Sequence, residues 1–251
     1  MTTRRQHLLL LSTLLAGRPF AARAATPSRQ AAMARFDVVY IPALFLTGTA
    51  ARQAPAVPKA QAAMRRLLAE WPERRAALQA LWPRDAGWRH ALDTSAQALQ
   101  AAARDAESGA WEAAHNRLEA VRESQFHARR ALGEAYLLDD FTAFHEVMEA
   151  ITASPTPSAE RLQALFTQAR VCWHRLSSQP IAPAIWGLTP AREARLQQAM
   201  ADETAALSRL SDALRGGDAA ATARAAAALK APFVQAYVAF GWEPDERQPL
   251  G

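Results

Sequence analysis

AWEAAHNRLEAVRESQFHARRALG, residues 110–133, is the stretch from which the fold can be read. Trp111, Ala114, Leu118, Val121 and Leu132 recur at the intervals that gather them on one face of an α-helix. Gly109 precedes the run and suits a stop for the helix before it. Outward in both directions the text stays rich in Ala, Leu, Arg, Glu and Gln, broken by Pro and Gly clusters. Alternating Val/Ile/Thr runs of strand type are lacking, so the class is all-α. Helices are expected at about 30–51, 58–82, 87–107, 110–133, 139–153, 157–178, 190–214 and 218–240. Asp139 and Asp140 suit a helix start, as does Pro157-Ser158, while Gly216-Gly217 suits a stop. Pro42 and Pro72 should kink or break the helices that hold them.

About eight helices invite a search for repetition. At an offset of 108 residues Leu99 falls on Leu207, Gly109 on Gly217 and Gly133 on Gly241. At an offset of 105, Phe36 falls on Phe141, Tyr40 on His145 and Thr47 on Thr152. The expectation is an antiparallel helical bundle of two tandem four-helix units, residues 25–135 and 136–251, each burying apolar stripes at shallow crossing angles.

The chain has 251 residues, half of them hydrophobic, which suits one or two packed domains. Its formal charge of +5 is concentrated at the N-terminus, where residues 1–24 hold Arg4, Arg5, Arg18 and Arg23 and no acid. Without them 25 basic residues face 24 acidic ones, and the electrostatic footprint of a nucleic-acid binder disappears. Arg4-Arg5, the apolar run Leu8–Ala16 and Ala22-Arg23-Ala24 are the three segments of a secretory signal peptide. The arginine pair also matches a twin-arginine signal, so export to the periplasm by either route is expected. No later segment offers the roughly 18–20 unbroken apolar residues of a membrane helix. The single cysteine, Cys172, allows no intrachain disulfide.

Helical units in this compartment resemble the periplasmic four-helix bundles of the cytochrome b562 and cytochrome c′ type. The resemblance implies a haem held by a c-type C-x-x-C-H or by Met and a His in the last helix. Cys172-Trp173-His174 is not the former, and no histidine follows His174. Haem is therefore not expected.

The chemistry-bearing residues gather in 110–153. His115, Glu119, Glu123 and His127 form a row four residues apart, and His145 and Glu149 form a second, with Met148 beside them. If the connecting turn lies at Ala135–Leu138, His127 comes level with His145 and Glu123 with Glu149. His115, about 30 Å from that turn, would be too distant to take part. Two imidazoles and two carboxylates suit a transition metal such as Zn, Fe or Cu, and Met148 would favour copper. Arg122 and Arg129 lie near the apolar face, where a guanidinium needs a carboxylate such as Glu149 or Asp140, or else a bound anion. The competing possibility makes His127 and Glu123 plain solvated residues and His145 a core-edge histidine. Two functions are compatible with this: a periplasmic bundle that stores, delivers or senses a metal, or a metal-free module that docks a protein partner. No nucleophile elbow, phosphate loop or dinucleotide fingerprint occurs.

Overall fold

In the computed structural model, residues 27–153 and 157–241 are described. The expected leader, residues 1–24, lies outside them. Among the described residues the chain is helical and contains no strand. The helices are α1 (Pro27–Ala50), α2 (Val57–Leu81), α3 (Ala86–Glu107), α4 (Trp111–Ala131), α5 (Leu137–Ile151), α6 (Ala159–Ser177), α7 (Pro183–Trp186), α8 (Pro190–Gly216), α9 (Ala219–Ala227) and α10 (Lys230–Val238).

Local chemistry explains most boundaries. Asp85, Ser158, Thr189 and Asp218 each cap a helix, their side-chain oxygens accepting first-turn amide protons. Gly109 and Gly217 follow α3 and α8 with φ of 79° and 69°, the left-handed conformation that lets the following amides bond the last carbonyls of a helix. Pro42 and Pro72 lie inside α1 and α2 without ending either helix. Asp139 and Asp140 do not cap α5, whose N-cap is Tyr136. Asp139 turns inward to Arg129, and Asp140 reaches Arg175 and Gln179. The helix expected at 218–240 is broken into α9 and α10, and α7 is a turn of helix that the sequence did not announce.

Packing closes two rings. α1 packs on α2 and α4, α2 on α3, and α3 on α4; α5 packs on α6 and α10, α6 on α8, and α8 on α9 and α10. The rings meet where α1 touches α7 and α10 and where α4 touches α5. Their interiors are continuous: one cluster of buried apolar side chains runs from Met33 to Phe240. Tyr40, Phe36 and Phe141 lie fully buried within it, and Phe141 packs edge-on to Tyr237 and Phe240.

Residues Arg29–Ala50 are long and apolar enough, by length and composition, to cross a membrane. Arg35 and Asp37 interrupt the stretch. In this fold 72% of that window is buried against the other helices.

Candidate functional site

Of the polar residues that the sequence gathers in 110–153, His115, Glu119, Arg122, Arg129 and His145 fall at the seam where α4 faces α1 and α5. Two buried groups of side chains form there. The lower group is built on Arg129, which is 5% exposed and grips Asp139 with Nε at 3.0 Å and a terminal nitrogen at 2.5 Å. Arg129 also lies over the Tyr136 ring, 4.9 Å from its centroid. It donates to Gln125 at 3.3 Å, and Gln125 in turn donates to Ser95. Tyr136 completes the group by donating its hydroxyl proton to Asp37 on α1 at 2.5 Å. Burial raises the Asp37 carboxyl to about 7, against the lowering pull of Arg129 and the Tyr136 hydrogen bond.

The upper group is a chain of contacts through Arg122, also buried. Arg122 pairs with Glu119 and donates to His145 Nδ1 at 3.0 Å. A guanidinium can only donate, so His145 Nδ1 accepts and the neutral ring carries its proton on Nε2. That nitrogen lies 3.5 Å from Glu149, which also holds Lys230 of α10 at 3.0 Å. Desolvation, followed by the Arg122 and Lys230 charges, lowers the His145 pKa to about 3. The ring is therefore neutral at physiological pH, lying against Phe233. At the other end His115 donates Nδ1–H to the Leu44 carbonyl at 2.8 Å, and its Nε2 is 3.6 Å from Glu119. Gly48 makes this approach possible, since a Cβ there would sit 3.0 Å from the His115 ring.

The expected tetrad is not assembled. Glu123 and His127 are exposed, and His127 lines a hollow between α3 and α4 with His90 and Asp85. Met148 is buried in the core at 1% exposure. Among the described residues no three His, Cys, Asp or Glu side chains converge as a metal ion requires. The error lies in the turn. α4 ends at Ala131 and α5 starts at Leu137, so the hairpin centres near residue 134, about two and a half residues earlier than assumed. In an antiparallel pair the partner moves by twice that error, which brings Arg122 rather than His127 level with His145. Arg129 and Asp139 are level for the same reason. His115, expected to be out of reach, joins His145 through Glu119 and Arg122. Arg122 and Arg129 are held by Glu119 and Asp139, not by Glu149 or Asp140, and neither opens an anion pocket.

One polar residue escaped notice in the sequence. Glu203, in the middle of α8, is fully buried, and neither carboxylate oxygen has a hydrogen-bond partner. The nearby Phe233 amide is directed to the Leu229 carbonyl. Desolvation raises Glu203 to about 8. A lone acid amid Ala199, Ala206, Leu207 and Leu210 was the available signal.

Open spaces lie in the second ring and at its junction with the first. A groove of about 890 Å³ between α6 and α8 is edged by Arg175 and Arg215, which are paired with Asp140 and Asp212. A cleft of about 640 Å³ lies between α1, α8 and α10, floored by Ile41, Phe45, Leu46, Val234 and Val238. No protein-family model, curated protein or solved structure matches the chain.

Proposed function

We propose that the chain is an exported, metal-free recognition module that holds a ligand in the cleft between α1, α8 and α10. The observation that carries this reading is the cleft itself. Phe45 and Leu46 from the first ring and Val234 and Val238 from the second are half-buried and face one open space. Its volume of about 640 Å³ falls within the range of small-molecule sites. The seam residues, by contrast, hold one another, and Arg122 already supplies the positive charge that a metal would bring to Glu119 and His145. Export rests on the leader at residues 1–24 and gives the module a periplasmic address. The test is titration of chelator-treated protein with 1-anilinonaphthalene-8-sulfonate. Saturable binding of one probe per chain, lost in Val234→Trp, is expected; diffuse, unsaturable fluorescence unaffected by Val234→Trp would overturn it.

A second reading, storage or delivery of a transition metal, is favoured by the His145–Glu149 pair 3.5 Å apart at the edge of the core. It requires Lys230 to leave Glu149 and the His145 proton to leave Nε2. On this reading protein purified without chelator carries stoichiometric Cu, Fe or Zn, and His145→Ala loses it. The resemblance to cytochrome-type bundles adds topology but no haem ligand.

The same account takes the second ring as a diverged copy of the first. Gly109 and Gly217 end corresponding helices in the same conformation, and Phe36 and Phe141 are buried at corresponding places. His115, Glu119, Glu123 and His127 correspond to Ala223, Ala227, Ala231 and Gln235, so the charged row belongs to one copy alone.

A further inference from the structure

The cleft between α1, α8 and α10 has a chemical polarity that narrows what it can hold. Its floor is apolar on both sides: Phe45 and Leu46 from α1 and Val234 and Val238 from α10. Its rim on α8 carries Arg192 and Arg195, three residues apart on one helix and so on the same side of it. No carboxylate lines the cleft among the described residues. Arg192 is buried and donates to the Ala239 and Gly241 carbonyls, which fixes a positive charge at that end. Arg195 is exposed at the opening. An apolar slot with cations at one rim complements a molecule that is apolar along its length and anionic at one end. A neutral apolar ligand would make no use of the exposed Arg195 guanidinium, and a cationic one would be repelled.

We infer that the cleft binds an amphipathic organic anion, its apolar body along Phe45, Leu46, Val234 and Val238 and its carboxylate on Arg195. This rests on the cleft being the ligand site, and the experiment separates the two claims. Dodecanoate, dodecanol and dodecyltrimethylammonium, each below its micellar concentration, are titrated calorimetrically into the full mature chain, into Arg195→Gln, and into a chain ending at Gly241. Dodecanoate should bind one per chain, at least tenfold more tightly than dodecanol, with no binding of the cation. Arg195→Gln should erase the tenfold preference of dodecanoate over dodecanol. Equal binding of dodecanoate and dodecanol by the wild type would overturn the anion while leaving the cleft as a ligand site. Absence of binding by all three would overturn both claims. Binding that appears only in the chain ending at Gly241 would make the chain's own C-terminal residues the occupant and overturn the ligand.

Discussion

Arg129 and Glu203 are two buried ionisable residues with opposite accounts. Arg129 has three hydrogen bonds to Asp139, so removing one partner leaves the other charge buried and unanswered. Arg129→Met should cost about 3–5 kcal/mol in urea unfolding, and adding Asp139→Leu should recover most of that loss. Glu203 has no partner, and its folded pKa of about 8 lies above the ordinary carboxylate value of 4.5. The folded state thus holds a proton that the unfolded chain releases. Its stabilising effect is complete below about pH 4.5 and is lost as pH rises to 8, by about 1.4 kcal/mol per pH unit. Glu203→Met should raise stability at pH 8, change little at pH 4, and flatten the slope between. His145 acts in the reverse sense: its folded pKa of about 3 lies below 6.5, so its contribution is present above pH 6.5 and is lost as pH falls towards 3.

At the scale of the helices, the sequence announced more than it placed. The 3.6-residue spacing of Trp111, Ala114, Leu118 and Val121 was legible because burial follows it directly, and all four are buried. The all-α class followed from the same spacing. The site was less legible because pairing across a hairpin depends on where the turn sits, and capping signals placed it too late. Asp139 and Asp140 looked like caps, but Asp139 had a nearer use as the partner of a buried arginine. Gly48 and Glu203 carried local signals, a small residue in an apolar helix and an acid on the apolar face of α8, whose meaning needed the facing helix to be known. The glycine stops were legible and are testable. Gly109 and Gly217 both adopt positive φ with open space where a Cβ would stand, so alanine meets backbone strain alone. Gly109→Ala and Gly217→Ala should each cost about 1–2 kcal/mol, and equally in the two rings, as thermal unfolding can measure.

The whole molecule is two helical rings joined by a polar seam and sharing one core. The seam gathers the residues that look most like chemistry, yet Arg122 and Arg129 bind it to itself. That leaves the cleft between the rings as the place where surface from both is offered outward. A ligand bound only by the folded chain raises its melting temperature with concentration, and a metal required by the fold would make that temperature sensitive to chelation. The most direct measurement is therefore calorimetric melting of the mature chain at pH 7 with dodecanoate, with chelator, and with neither. The account predicts a melting temperature that climbs with dodecanoate and is unmoved by chelator. A temperature that falls with chelator, returns on adding Cu(II) or Zn(II) and ignores dodecanoate would contradict it.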